Sequence, residues 1–222
     1  MTLPEKPLQA VVFDLDGLLF NTEELYQRVG TEILRRRGHE FTQSLLDAMM
    51  GRPSQIALRI MIDRHQLDAT VEQLLEETAE TFPPILDEFL QPMPGAERLL
   101  DALERAKLPK AIATSSSRTF LDDILARAGW LERFQFFLTA EDVAEGKPHP
   151  EIYQKAAARH GHPSGQILVL EDSHNGCRAA IAAGMYTVAV PGDHSRNHDF
   201  TGTKFIAETL ADERIYRALG LG

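Results

Sequence analysis

The chain has 222 residues, 43% hydrophobic and 25% charged, an ordinary globular balance with room for one large core and a smaller module. Its formal net charge of -10 excludes attraction to nucleic acid or to an anionic membrane surface, so an anionic ligand must be held by local cations. The single cysteine, Cys177, excludes an intramolecular disulfide; with no secretory leader and no apolar run long enough for a bilayer, a cytoplasmic protein is expected.

A polar lead with two prolines, expected to fray, precedes an apolar strand over Ala10–Phe13. That strand runs directly into Asp14-Leu15-Asp16-Gly17. Unpaired buried charge is costly, so both aspartates must lie past the strand end and face a cation or water. A solvated turn is the plain alternative. An EF-hand is disfavoured, because Leu18 and Leu19 occupy places that a calcium loop fills otherwise.

A helical tract follows from about Thr22 to Leu90. Leu25, Val29 and Ile33 recur at fourfold spacing and Gly38 closes that helix. Ile56, Ile60 with Met61, and Arg64 mark another. Thr70-Val71-Glu72-Gln73 has the spacing of a capping box opening a third, which Pro83 and Pro84 are expected to kink or end. Gln91-Pro92-Met93-Pro94-Gly95 is stiff until Pro94 can serve as the first residue of a new helix. Positions 22–91 therefore read as a helical insertion into a core formed by 1–21 and 92–222.

From Pro94 onward strands and helices alternate. A helix over Ala96–Lys107 leads to an apolar strand ending at Thr114, then to a helix with Phe120, Leu121, Ile124, Leu125 and Ala128 on one stripe. A short strand over Phe136–Thr139, a loop with Lys147 and a helix over about Glu151–His160 come next. The strand Ile167–Leu170 ends in Glu171-Asp172, and a helix over about Asn175–Ala183 and a strand over Tyr186–Val190 complete the series. Such alternation predicts an α/β fold, a Rossmann-like, doubly wound parallel sheet.

The polar residues fall immediately after strands: Asp14 and Asp16, Thr114 to Ser117, Glu171 with Asp172, and Lys147 a few residues beyond another. Ligands of open parallel sheets bind at the carboxyl ends of the strands, so these groups converge on one edge. Each has a simpler reading. Ser116 or Ser117 could cap the next helix, Lys147 could be a surface lysine, and Glu171-Asp172-Ser173 could serve a helix start. Thr114 ends a strand before free helix N–H groups and so suits an anion. The loop from Pro191 to His198 reads as polar surface, and His194 and His198 are not assigned as ligands, since magnesium prefers oxygen.

Asp14-Leu15-Asp16-Gly17, Thr114, Lys147 within G-K-P-H-P, and Glu171-Asp172-Ser173 followed by N-G resemble, in order, the four motifs of the haloacid dehalogenase-like superfamily. Within it the chain is similar to the group of beta-phosphoglucomutases and small-metabolite phosphatases, and MGRPS, F-P-P and A-T-S-S are similar to the pseudouridine-5'-phosphatases. The resemblance implies a small all-helical cap at positions 22–91. It implies a magnesium-dependent phosphomonoesterase in which Asp14 forms an aspartyl-phosphate and Asp16 is the general acid and base. It places phosphate against Leu15, Thr114, Ser115 and Lys147, and Mg2+ against Asp14, the Asp16 carbonyl, Asp172 and, directly or through water, Glu171. A cation is required on physical grounds too, since a unit charge pair 4 Å apart at an effective dielectric near 20 repels by roughly 4 kcal/mol.

The expected partner is a small phosphorylated metabolite, with no nucleic acid or membrane, and the chain is expected to be a monomer. Substrate choice should lie in the insertion, with Arg52 of Gly51-Arg52-Pro53-Ser54 the best contact to a polar or anionic leaving group. The alternative is a sugar phosphomutase. Tyr26, Met50 and Ser54 stand where mutases of this group carry histidine, lysine and arginine, which argues against it. A non-catalytic phosphometabolite-binding protein is disfavoured by retention of both Asp14 and Asp16. Asn21 departs from the aspartate usual before Thr22.

Overall fold

The computed structural model describes residues 4, 6–49 and 54–221; residues 50–53, Arg52 among them, lie outside the described residues. The chain divides into two compact units, Met1–Asn21 with Gln91–Gly222, and Thr22–Leu90. Gln91 goes with the first unit because its N–H donates to Asn21 Oδ1 at 2.8 Å and its carbonyl accepts from Asn21 N–H at 3.2 Å.

After the first strand, β1 (Ala10–Phe13), the chain enters the helical unit, built from α1 (Thr22–Arg35), α2 (Gln43–Met49), α3 (Ser54–His65) and α4 (Val71–Phe89). Leu25, Val29, Ile33 and Leu34 give α1 its buried stripe. Left-handed Gly38 then closes its end, where His39 N–H donates to the Leu34 carbonyl at 3.0 Å. At the start of α4 the capping box forms: Gln73 N–H donates to Thr70 Oγ1 at 3.2 Å and Thr70 N–H to Gln73 Oε1 at 2.8 Å.

Two expectations are corrected in this unit, the first in one of its two alternatives. Helix α4 does not end at Pro83-Pro84 but continues to Phe89. Both prolines are exposed, as are Ala79 and Glu80, whose carbonyls lose their helical donors; water can replace those bonds while Phe82 and Leu86 stay buried. On α3 the buried face is Leu58, Met61 and Ile62, whereas Ile56 is 48% exposed. Packing against both α2 and α4 rotates the helix away from the stripe that Ile56, Ile60 and Arg64 suggest.

The rest of the chain supplies α5 (Ala96–Arg105), β2 (Lys110–Ala113), α6 (Arg118–Ala128), β3 (Phe137–Leu138), α7 (Glu151–His160), β4 (Ile167–Glu171), α8 (His174–Ala182), β5 (Tyr186–Ala189) and α9 (Glu213–Ala218). Helix α5 begins at Ala96, where its sequence pattern starts, and Pro94 stays outside it. Gly95 lies left-handed at its N-cap, and a Cβ there would sit 2.3 Å from Ala211 N, so the close approach of that backbone delays the helix.

The five strands form one parallel sheet in the order β3-β2-β1-β4-β5. All residues of β1, β2, β4 and β5 are buried, as a sheet covered on both faces requires. On one face Ala10, Val12, Ala111, Ile167 and Val169 pack with Ile152, Tyr153 and Ala156 of α7 and Ala180 of α8. The winding direction reverses at β1, between β2 and β4, so the crevice at their carboxyl ends is a topological switch point. Phe13 pairs with Leu170, which sets Asp14 beside Glu171 across the ladder.

Candidate active site

Asp14 follows β1 with its N–H donating to the Leu170 carbonyl at 3.1 Å, so its backbone continues the ladder while its buried side chain projects at the strand end. The loop behind it folds on itself. Gly17, left-handed at φ 73°, donates to the Phe20 carbonyl at 2.9 Å, and the Leu15 carbonyl accepts from Leu19 at 3.0 Å. Leu15 is fully buried.

Lys147 reaches the site from the turn before α7, a turn gathered by Glu151 Oε2, which accepts the N–H groups of Ala144 and Glu145 at 3.0 Å each. Its Nζ donates to Asp14 Oδ1 at 2.5 Å, Glu171 Oε1 at 2.6 Å and the Ala113 carbonyl at 3.0 Å. Three acceptors saturate the ammonium.

Glu171 is fully buried and fully engaged. Oε1 also accepts from the Tyr153 hydroxyl at 2.8 Å, and Oε2 accepts from Ser173 N–H at 3.1 Å and Ser173 Oγ at 2.9 Å. Gly176 on α8 permits this, since a Cβ there would fall 1.7 Å from Glu171 Oε1. Asp172 is buried and bonded to His194 Nε2 at 3.0 Å.

Asp16 Oδ2 accepts from Ser116 Oγ at 2.6 Å and from the buried Thr114 Oγ1 at 3.2 Å. Thr114 Oγ1 in turn accepts from Ser116 N–H at 3.0 Å. Ser115 is exposed at the same turn, and Ser117, not Ser116, caps α6 by accepting from Phe120 N–H.

Four carboxylates therefore meet one ammonium. Burial, and then the charges of Glu171, Asp172 and Asp16, hold the Asp14 carboxyl well above the usual range despite Lys147. Burial and Glu171 push Asp172 up to about 6 against the pull of His194. Burial opposes the Lys147 charge, but Asp14 and Glu171 outweigh it and raise its proton affinity. A second cation would relieve this cluster. One oxygen each from Asp14, Glu171 and Asp172 lies within 4.8 Å of the others, and an all-oxygen donor set fits a hard divalent ion.

The sequence of residues 11–190 matches the family model described as haloacid dehalogenase-like hydrolase. This chain belongs to the haloacid dehalogenase-like hydrolases. Among its relatives in that family is a Drosophila melanogaster protein named "Probable pseudouridine-5'-phosphatase", 35% identical over 210 residues, covering 90% of this chain and 89% of the relative. Another is fructose-1-phosphate phosphatase YqaB of Escherichia coli, 29% identical over 182 residues, covering 81% of this chain and 95% of the relative. The crystal structure of CbbY from Rhodobacter sphaeroides in complex with phosphate superposes with a TM-score of 0.78 at 27% identity, covering 92% of this chain and 96% of CbbY.

The structure thus brings Asp14, Lys147, Glu171 and Asp172 into one buried cluster of this hydrolase, with Asp16 tied to Thr114 beside it. Arg52 lies outside the described residues. Three participants escape sequence reasoning. Ser116 reads as a helix cap and His194 as loop surface, and nothing in the sequence singles out Tyr153. The available signals were the position of Tyr153 in the first turn after K-P-H-P and that of His194 just past the carboxyl end of β5.

Proposed function

We propose that this chain is a magnesium-dependent phosphatase that hydrolyses a small phosphorylated metabolite through a phosphoryl intermediate on Asp14. The observation that carries this reading is the Lys147 ammonium bridging Asp14 and Glu171 at the switch point, inside a cluster still short of positive charge. Magnesium held by Asp14, Asp172 and the Asp16 carbonyl would supply the charge that lets a phosphate dianion approach a carboxylate. Glu171, with four protein donors on its two oxygens, serves mainly to hold Lys147 and would meet such an ion through water.

In the first step an Asp14 oxygen attacks phosphorus in line with the leaving oxygen. The new O–P bond forms as the ester P–O bond breaks, and Asp16 gives its proton to the departing alkoxide. In the second step Asp16 takes a proton from water, whose oxygen attacks phosphorus; the Asp14–phosphorus bond breaks and inorganic phosphate leaves. Lys147, whose three protons are taken, offsets the charge shared by Asp14 and the phosphoryl group, while backbone N–H groups near Leu15 and Ser115 hold the phosphoryl oxygens and Thr114 joins them when its hydroxyl turns from Asp16. Ser116 aims the Asp16 carboxylate for both transfers.

In the same reading the helical unit is the cap that carries specificity, through Arg52. The test is phosphate release over a panel of sugar, polyol and nucleoside phosphates, with and without magnesium, together with an aryl phosphate. Release from some members only with magnesium is expected, and Arg52→Ala should lower kcat/KM on the preferred substrate by about tenfold or more while sparing the aryl phosphate. Magnesium-independent release would contradict the metal assignment. Equal losses on both substrates would remove Arg52 from specificity.

A further inference from the structure

We propose that His194 is a positioning residue for Asp172, fixing the orientation in which that carboxylate meets a divalent cation held with Asp14; this rests on the reading of both aspartates as metal ligands. His194 Nε2 and Asp172 Oδ2 are 3.0 Å apart, and an ionised carboxylate can only accept, so Nε2 carries the proton of this bond. With one oxygen fixed by the imidazole, the torsion of the carboxyl group is fixed as well.

The surroundings are built for this ring. A Cβ at Gly17 would fall 3.0 Å from His194 Cε1 and Nε2 and 2.7 Å from Asp172 Oδ2, and a Cβ at Gly192 would fall 2.9 Å from His194 Cε1. Two glycines far apart in sequence clear the same space, one in the loop after Asp16 and one after β5.

The segment that delivers His194 is tied to β4 at its start and closed into a turn at its end. Val190 N–H donates to the Glu171 carbonyl at 2.7 Å, Ser195 N–H to the Gly192 carbonyl at 3.2 Å, and Ser195 is fully buried. The imidazole itself is not part of the oxygen cluster. Asp14, Glu171 and Asp172 each place an oxygen within 4.8 Å of the others, and His194 is not a member of that group. Its role is to orient a ligand, and an outer partner of this kind typically governs metal affinity by 10- to 100-fold.

The test is titration of Mg2+ into the metal-free full chain, followed as the rise in thermal midpoint, for the wild type and for His194→Gln, His194→Ala, His194→Leu and Asp172→Asn. The expected result is Mg2+ binding weakened by about 10- to 100-fold in both His194→Ala and His194→Leu. His194→Gln, whose amide can donate from the place of Nε2, should stay within a few-fold of wild type. Wild-type affinity in His194→Ala would overturn the proposal, as would a loss confined to His194→Ala, which would mark the ring as space-filling, or an equal loss in His194→Gln. Absence of Mg2+ binding by the wild type, or unchanged binding by Asp172→Asn, would instead overturn the metal reading on which the proposal rests.

Discussion

The two units use the same charged residue types in opposite ways. In the helical unit, charge lies on the surface along helix faces: Arg28 pairs with Glu24, and Arg35 and Arg36 with Glu32, at three- or four-residue spacing with much of each side chain exposed. At the carboxyl edge of the sheet, the side chains of Lys147, Asp14 and Glu171 are only 5%, 8% and 0% exposed. The first arrangement is solvated and nearly neutral in energy; the second takes charge out of water and keeps more negative than positive groups. Such a cluster is poor architecture for stability, and its retention points to chemistry.

The sharpest way to break this contrast is at Asp14. Asp14→Asn should reduce phosphate release by about three orders of magnitude or more, since the proposed nucleophile is gone. Its thermal midpoint should equal or exceed that of the wild type, because one member of a repulsive set has been neutralised. A marked fall in the midpoint would show that Asp14 is there for stability.

Lys147 is the opposite case. Lys147→Ala leaves Asp14 and Glu171 buried without their cation and should destabilise by about 3–5 kcal/mol, measured by urea unfolding. Activity should fall far more in Lys147→Ala than in Lys147→Arg, and excess magnesium should not restore it. Equal rates in the two variants would place Lys147 outside the chemistry.

Within the helical unit, Arg37 and Glu77 form an intermediate case. This pair joins the end of α1 to α4 with each side chain about one-quarter exposed, and Arg37 holds the Glu77 carboxyl below its ordinary range. Glu77→Gln should destabilise by about 1 kcal/mol. Arg35→Ala, in a pair that is open to water, should leave the thermal midpoint where it was. Comparable losses in the two variants would erase the distinction between buried and solvated charge.

At neutral pH the smallest effect is expected at His160, where α7 ends far along the helix from Tyr153. Its ring lies against Phe136, neither ring nitrogen has a hydrogen-bond partner among the described residues, and burial lowers its pKa to about 4. The unfolded chain binds this proton near pH 6.5 and the folded chain does not until about pH 4, so stability should fall as pH drops through that interval. His160→Leu should flatten the dependence of thermal midpoint on pH there. An unchanged slope would show that His160 protonates freely in the folded state.

The sheet was legible because its signals are local: an apolar run such as Ala10–Phe13 broken by Asp14 announces both the strand and its end. Other features depended on neighbours distant in sequence. Pro83 and Pro84 read as a kink or an end, yet solvent at Ala79 and Glu80 lets α4 run on to Phe89. Ile56 read as core, yet helices on two sides of α3 selected another face. The same holds around the site. Asp14, Lys147, Glu171 and Asp172 stand out as charges beside strand ends, whereas Tyr153 and His194 become visible only once α7 and the segment after β5 bring them to Glu171 and Asp172.

A phosphatase working as proposed must phosphorylate the buried carboxylate at the end of β1. The most direct test of that step is mass spectrometry of the full chain, acid-quenched within the first turnover of a phosphate ester in the presence of magnesium and then digested. A phosphoryl adduct is expected on the peptide containing Asp14, absent from Asp14→Asn and, with an aryl phosphate whose leaving group needs no proton, accumulating when Asp16→Asn slows its hydrolysis. Phosphate release by wild type with no adduct, continuing undiminished in Asp14→Asn, would contradict the proposed step.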